Sequence, residues 1–146
     1  MEFFESLIHD FGQLIEVPLH LDKLGCCLLN VDDTLKIQIS HYDKRESLLI
    51  ACPIAELPAG KLRENILRDA LKANNEYPKV GNFSYSPKNN LLVLFVYIPE
   101  RRASAPIVAK AFNEFAAKAD SWRKAIDSGH TYTLLTGSPG GSVSNP

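Results

Sequence analysis

The sequence lacks the features that mark several large classes of protein. It has three cysteines, Cys26, Cys27 and Cys52, and so small and odd a number does not suit the disulfide framework of a secreted domain. Its formal net charge is −1, with no run of lysine and arginine, which argues against nucleic acid as the main partner. No apolar stretch approaches the roughly 20 residues of a membrane-spanning helix. An amphipathic pattern follows Met1 directly in place of a leader, so we expect reduced thiols in a cytoplasm.

The sequence also lacks an arrangement that would carry catalysis or hold a metal. Its four histidines are scattered, with no second ligand four residues away and no Cys-x-x-Cys nearby, so no metal site is expected. Asp32-Asp33 falls in a predicted turn, where Asp is favoured for bonding to the backbone. The segment Gly137–Gly141 lacks the Gly-Lys-Ser/Thr of a phosphate-binding loop. We therefore predict a protein that is not an enzyme and has no cofactor.

What the sequence does have is an uninterrupted apolar stretch, LLVLFVYI, from Leu91 to Ile98. Its β-branched and aromatic content predicts a strand, and eight residues are too few for a typical helix. Alternate side chains of a strand point to opposite faces, and here neither face is polar. Helices of a single small domain can cover one face. What covers the other face is the functional question.

Apolar periodicity predicts the remaining elements. Three helices are predicted, over residues 2–16, over residues 61–74 and over about 23 residues after Ser104. Ser104 can cap the third helix, and Pro106 suits its first turn. Four further strands are predicted at Gly25–Val31, Leu35–Ser40, Leu48–Cys52 and Asn82–Ser86. Pro53 either ends the third strand or marks an edge.

The predicted fold class is α+β. The order is α-β-β-β-α-β-β-α, with three helices on a twisted, mostly antiparallel five-strand sheet. Residues 1–127 are expected to form one domain. Eight of the last ten residues are Gly, Ser or Pro, which predicts that residues 128–146 are a flexible tail.

The first two predicted helices carry wider apolar arcs than one contact with a sheet requires. Their arcs span about 140° and about 180°, at 100° per residue. For each helix two explanations stay open, a deeper core within the chain or a second surface that faces a partner. The third helix has an arc of only about 80°, and Trp122 on it is expected in the core.

Several local signatures follow this order of elements. Gly25 begins a strand that ends at Asp32-Asp33, and Leu57-Pro58 precedes the second helix. That helix ends in Leu71-Lys72-Ala73-Asn74-Asn75, with Gly81 soon after. Tyr97-Ile98-Pro99 closes the apolar strand, and Trp122-Arg123 follows Phe115 by seven residues. In this combination, residues 1–127 resemble the bacterial type III secretion chaperone family, which includes the chaperone of the translocated intimin receptor.

The resemblance implies a cytoplasmic bacterial homodimer, with heterodimers possible, that has no enzymatic activity. Such a protein holds the N-terminal segment of a secreted effector in an extended form, ready for the secretion apparatus. The resemblance assigns effector binding to the first helix and the neighbouring sheet, at Phe4, Leu7, Ile8, Phe11, Leu35, Ile37 and Ile39. It assigns dimer contacts to the second helix and the apolar strand, at Leu62, Ile66, Leu67, Leu71, Leu92, Leu94, Val96 and Ile98.

One alternative function and two departures from the family pattern accompany the resemblance. The alternative is a regulatory adaptor of the same fold that binds a folded partner. Family members are often acidic, whereas this chain is near neutral. The tail has no counterpart in the pattern, and we hypothesise that Leu134 and Leu135 occupy an apolar groove when no effector is bound.

Overall fold

The computed structural model describes residues 2–77, 80–128 and 143–144, which contain three α-helices, six strands and two short 3₁₀ helices (Asp43–Arg45 and Glu100–Arg102). The helices are α1 (Glu2–Ile15), α2 (Lys61–Ala73) and α3 (Ala105–Asp127). The strands are β1 (Cys27–Val31), β2 (Leu35–Tyr42), β3 (Ser47–Glu56), β4 (Asn82–Ser86), β5 (Leu91–Pro99) and β6 (Val143–Ser144). The predicted α+β class, the order of elements and the five predicted strands are confirmed, and β6 is an addition to them.

The strands form one antiparallel sheet in the order β4-β5-β3-β2-β1-β6. The turn between β1 and β2 has Asp32 and Asp33 at φ 54° and 58°, a left-handed conformation that Asp tolerates better than most residues. Pro53 lies within β3, beyond Ala51, where the pairing with β2 stops. The register of β3 against β5 then shifts between Pro53 and Ala55. Pro53 therefore marks an edge and does not end the strand, which continues to Glu56.

The core lies between one face of the sheet and the helices α1 and α3. Phe11 of α1 and Phe112 of α3 meet edge to face, with ring centroids 5.6 Å apart. Trp122, as predicted, is in this core at 1% exposure. Ser104 caps α3 by accepting a hydrogen bond from Ile107 N, and Pro106 lies in the first turn, as the sequence predicted. Each large apolar side chain buried this way contributes about 1.5–3 kcal/mol.

Helix α2 lies along β4, the outermost strand on one side of the sheet. Near its start, Arg63 donates to Tyr85 Oη and Asn90 Oδ1, both at 3.3 Å. At its end, the Asn74 side chain bonds Phe83 N at 2.7 Å and Phe83 O at 3.1 Å. Ile66, Ala70 and Ala73 are buried between these two polar anchors. The helix therefore covers this edge of the sheet.

On the opposite side, β6 pairs with β1, with Asn30 opposite Ser144 and Val31 opposite Val143. Both residues of β6 fall in the segment predicted as a tail. Leu134 and Leu135 lie outside the described residues. Among the described helices, none is both long enough and apolar enough to cross a bilayer.

Candidate functional surfaces

The residues predicted to bind an effector lie inside the chain. All seven have 6% exposure or less: Phe4, Leu7, Ile8, Phe11, Leu35, Ile37 and Ile39. They join α1 to the sheet as part of one hydrophobic core. The apolar side chains that α1 leaves exposed are instead Phe3 and Leu14. Effector contact by the seven residues therefore stays a prediction, and an exposed surface must be built from other residues.

The residues predicted at a dimer interface divide into two groups. Four are buried within the chain: Ile66, Leu92, Leu94 and Ile98. Leu67 and Val96 are half-buried, whereas Leu62 and Leu71 are 40% and 68% exposed. The β5 residues of this set point to the same face of the sheet as the core. The other face of β5 is the more exposed one, and dimer contact by the eight predicted residues stays a prediction.

That other face carries a half-exposed apolar patch on β3 and β5, formed by Leu49, Ala51, Val93, Phe95 and Tyr97. We call it the outer apolar face. Leu49 lies opposite Tyr97, and Ala51 lies opposite Phe95, in the β3–β5 register. Alternate residues of β2 continue the same face as Lys36, Gln38 and Ser40. The face is therefore apolar on one half and polar on the other.

Aromatic rings and a cation lie at one end of the outer apolar face. The rings of Phe95 and Tyr97 are 5.9 Å apart at 76°, and Tyr42 lies 5.8 Å from Tyr97. The Arg45 guanidinium lies 4.4 Å from the centre of the Tyr97 ring. Aromatic residues and arginine are the types most enriched at protein interfaces, so the composition of this face suits a protein partner.

Two recesses flank α2 on different sides. Leu67 and Leu71 line a shallow recess over β4 that includes Tyr85 and Leu92. Leu62 does not line this recess. It lies nine residues before Leu71, which at 100° per residue places it on the opposite side of the helix. Leu62 lines a larger recess with Leu91 and Ile126, where α2 begins and α3 ends. The α2 residues predicted for one interface therefore lie on two surfaces.

None of the three cysteines has the lowered pKa that is typical of a reactive thiol. Burial raises the pKa of Cys27 to about 11 and that of Cys52 to about 12. Burial, with a smaller effect from the Asp22 carboxylate, also raises the pKa of Cys26. A nucleophilic thiol needs a lowered pKa, so these shifts are opposite to those required. Within the described residues, no group of three or more His, Cys, Asp or Glu side chains is placed to hold a metal.

Among the histidines that the structure describes, His41 is the most buried. His41, near the end of β2, is bonded through Nδ1 to Asp43 and through Nε2 to Glu100, the latter at 2.8 Å. Its ring lies 6.1 Å from Phe4 of α1. His41 therefore ties the end of β2 to the turn after β5, beneath the start of α1.

Comparison with known proteins gives the family. A family model described as the Tir chaperone protein (CesT) family matches residues 6–123. The chain belongs to the Tir chaperone family. The match runs from within α1 to within α3 and includes β1 to β5 and α2, and the predicted resemblance is confirmed. No curated protein sequence gives a significant match.

Solved structures share the fold of this Tir chaperone family member. A chain in the structure of the HopA1–SchA chaperone–effector complex has a TM-score of 0.70 and 23% identity, covering 84% of this chain and 94% of that one. A chain in the complex of the Yersinia pestis type III secretion chaperone SycH with a stable fragment of YscM2 has a TM-score of 0.65 and 16% identity, over 81% and 98%. A chain in the ExsC–ExsE complex has a TM-score of 0.62 and 18% identity, over 82% and 90%.

Two features of this Tir chaperone family member could not be placed from the sequence. Both sides of Leu91–Ile98 are apolar, and which side is the inner one follows only from the pairing of β5 with β3 and of β3 with β2. Leu35, Ile37 and Ile39 of β2 were the signal, since their alternation with polar residues fixes the inner face. The strand β6 was missed because its Gly/Ser/Pro context has no periodicity.

Proposed function

We propose that this member of the Tir chaperone family is a homodimeric type III secretion chaperone that acts in the bacterial cytoplasm. It binds the N-terminal segment of one or more secreted effectors, keeps that segment extended and presents it to the secretion apparatus. The observation that carries the proposal is the family match over residues 6–123. The similar folds found in chaperone complexes with HopA1 and with a YscM2 fragment support it. The proposed work is binding alone, so it requires no cofactor.

The outer apolar face supplies the surface for a second copy of the chain. A sheet face that stays in water is normally polar, whereas this face carries Phe95 and Tyr97 on β5 and, on the far side of β3, Gln38 and Ser40 on β2. The apolar half is the part to cover. A second copy can cover it through a two-fold contact of the same patch on both chains. A standard interface of this kind buries about 800 Å² on each partner.

The effector segment is proposed to bind along the β1 edge of the sheet. The β4 edge is covered by α2 through Asn74 and Arg63, so the segment is proposed to join the opposite side of the sheet, along β1, where β6 pairs with Asn30 and Val31. Backbone hydrogen bonds then provide affinity, and alternate side chains find apolar contacts. Leu28 on β1 and Leu14 on α1 are exposed apolar residues for such a segment. The buried residues of α1 support this site indirectly, because they hold the helix on the sheet. They are Phe4, Leu7, Ile8 and Phe11.

Purification of the tagged chain from a bacterium with a type III secretion system tests the proposal. We expect a secreted protein to co-purify, and limited proteolysis of the complex to leave a protected fragment near that protein's N-terminus. Protection of a folded domain in place of an N-terminal segment would favour the adaptor. Recovery of no secreted protein, from cells shown to be secreting, would overturn the chaperone function.

Light scattering after size exclusion tests the dimer. We expect about twice the chain mass of 16.2 kDa. Phe95→Glu should give a monomer or insoluble chain, because a carboxylate cannot be buried unpaired at an interface. Gln38→Glu places the same charge on the polar half of the same face and should remain a dimer. A dimer that survives Phe95→Glu would exclude this face as the interface.

A further inference from the structure

Two pairs of basic residues that are far apart in the sequence meet at one end of the sheet. Lys44-Arg45 lies in the short 3₁₀ helix between β2 and β3, and Arg101-Arg102 lies in the one between β5 and α3. The two turns are joined by a backbone hydrogen bond from Glu100 N to Glu46 O, at 3.0 Å. His41 also joins them, with its Nε2 2.8 Å from Glu100 Oε1. The fold therefore gathers these four basic residues at one place.

A recess of about 650 Å³ opens beside these turns. Arg45 and Arg101 line it, and Phe3, Tyr97 and Pro99 supply apolar surface. The Arg45 guanidinium lies over the Tyr97 ring, 4.4 Å from its centre, which holds the cation beside the apolar part of the lining. We call this site the basic recess. It combines apolar surface with two guanidinium groups, whose fork of N–H donors matches a carboxylate.

Positive charge outweighs negative charge at the basic recess. The carboxylates of Asp43 and Glu100 each contact a ring nitrogen of His41, so both already have a partner. Glu46 is the other acidic residue of the lining, and the four basic residues of the two turns outnumber it. The chain as a whole has a formal charge of −1, so this end differs from the rest of the molecule. A local excess of positive charge favours a partner that is acidic.

We infer that the basic recess binds an acidic segment of the secreted effector. Carboxylates of the segment pair with Arg45 and Arg101, and an apolar side chain packs on Phe3 and Tyr97. A segment that carries acidic residues next to a large apolar residue supplies both kinds of contact. The inference rests on the proposed function, because it names a chemical property of the segment that the chaperone binds.

Helix α1 connects the basic recess with the surface proposed for the rest of the effector segment. Phe3 and Leu14 are large apolar side chains of α1 that stay exposed, at 43% and 52%. At 100° and 1.5 Å per residue, they lie about 20° apart around the helix and about 16–17 Å apart along it. An extended segment covers that length with about five residues. One effector segment can therefore contact Leu14 and reach the basic recess.

The binding of short labelled peptides tests the chemistry of the basic recess. One peptide alternates leucine with glutamate, and the matched peptide has glutamine in place of glutamate. Fluorescence anisotropy should show that the wild-type chain binds the glutamate peptide more tightly. Its affinity should fall as salt is added, because salt screens exposed charges. The double variant Arg45→Glu/Arg101→Glu should bind the glutamate peptide about tenfold more weakly than the wild type.

The control is Lys72→Glu/Lys88→Glu, which makes the same change of charge at two exposed positions outside the recess. It should bind the glutamate peptide as the wild type does. Equal binding of the two peptides by the wild-type chain, or equal affinity of the two double variants, would overturn the inference. Light scattering adds a further check. A monomer for Arg45→Glu/Arg101→Glu would assign the recess to contact with a second copy of the chain and would also overturn the inference.

Cross-linking in the effector complex tests the occupant. A photo-reactive amino acid replaces Arg101 or, as the control, Lys88, and each chain is combined with the protease-protected effector fragment. We expect position 101 to cross-link to an acidic stretch of the fragment, and position 88 to give no cross-link. Cross-links from position 101 to a stretch without acidic residues, or none in a complex that forms, would overturn the inference and leave the chaperone function standing. The absence of any secreted client would overturn the chaperone function and, with it, the effector as the occupant.

Discussion

The side chain of Asn74 takes the place of a neighbouring strand for Phe83. Its Oδ1 accepts from Phe83 N, and its Nδ2 donates to Phe83 O, which is the pair of bonds that an antiparallel strand would supply. One residue at the end of α2 thus closes the outermost strand of the sheet and fixes the end of the helix against it.

Asn74→Ala should destabilise the fold. It leaves two partly buried backbone groups without partners, and each such loss costs about 1–3 kcal/mol. We expect a lower urea midpoint with an unchanged m-value, together with concentration-dependent association through the opened β4 edge. Asn75→Ala, at the exposed neighbouring position, should change neither. Equal stability of the two variants would show that the Asn74 bonds carry no net stability.

Gly81→Ala should cost more than Gly25→Ala. Both glycines have φ of +79°, but a Cβ on Gly81 would lie 2.7 Å from the carbonyl oxygen of Phe95, whereas a Cβ on Gly25 meets nothing within 4 Å. The left-handed backbone alone costs an alanine about 1–2 kcal/mol. The collision should add about 1–3 kcal/mol at Gly81.

Chemical denaturation of the two alanine variants measures the difference, because backbone strain is the same at both positions. Similar losses would mean that the loop before β4 shifts to relieve the contact with Phe95. A larger loss for Gly81→Ala would show that this loop is held in place by β5.

Cysteine modification should proceed in a fixed order, with Cys26 first. The pKa of Cys27 is about 11 and that of Cys52 about 12, so at pH 8 only about one in a thousand and one in ten thousand are thiolate. Mass spectrometry after brief alkylation at pH 8 should show one label on the native chain and three in urea. Cys26→Ser should abolish the rapid native labelling.

The same pKa shifts make the fold sensitive to alkaline pH. The folded state holds the Cys27 and Cys52 protons above the usual thiol pKa of 9.0, where the unfolded chain releases them. Stability is therefore fully present below about pH 9 and falls as the pH rises toward 11–12. Urea midpoints between pH 8 and pH 11 should fall for the wild type and fall less steeply for Cys52→Ala relative to its own value at pH 8.

Leu71→Asp tests whether the dimer contact extends beyond the outer apolar face to α2, where the resemblance places Leu71, and on that basis it should disrupt the dimer with little effect on the folding of one chain. Leu71 is 68% exposed, and substitutions at exposed sites usually change stability by no more than about 0.5 kcal/mol. The control is Leu24→Asp, since Leu24 is 88% exposed in the loop before β1. Light scattering should find a monomer for Leu71→Asp and a dimer for Leu24→Asp. Two dimers would remove the Leu71 side of α2 from the interface.

The elements of the fold were predictable because their periodicity is strong and local. The bounds predicted for Asn82–Ser86 are those observed, and the Ser104 cap and Pro106 place the start of α3 correctly. The sequence did not show that β3 continues through Pro53. A proline is tolerated there because the pairing of β3 with β2 stops at Ala51, which only the tertiary structure shows.

The surfaces were less predictable than the elements, since a side chain's exposure depends on which neighbour covers it. Phe4 and Phe11 could belong either to a groove or to a core on the evidence of helical spacing, and packing against α3 and β2 placed them in the core. Leu92 and Phe95 have similar hydrophobicity, yet the register places one inside and the other on the outer apolar face. Which side of a strand faces the core depends on its pairing with other strands. A strand that is apolar on both sides does not reveal this from its own sequence.

The chain has one tryptophan, and Trp122 lies 4.2 Å from the ring of Phe83, at the β4 end of the sheet. Its fluorescence therefore reports on the contact between α3 and β4, and three strands, β5, β3 and β2, separate β4 from β1. Unfolding or loss of the α2 anchor should change the emission spectrum, whereas a segment that joins the β1 edge should leave it almost unchanged. The single tryptophan, excited at wavelengths that the five tyrosines do not absorb, thus separates the integrity of the fold from the binding of a segment at the β1 edge.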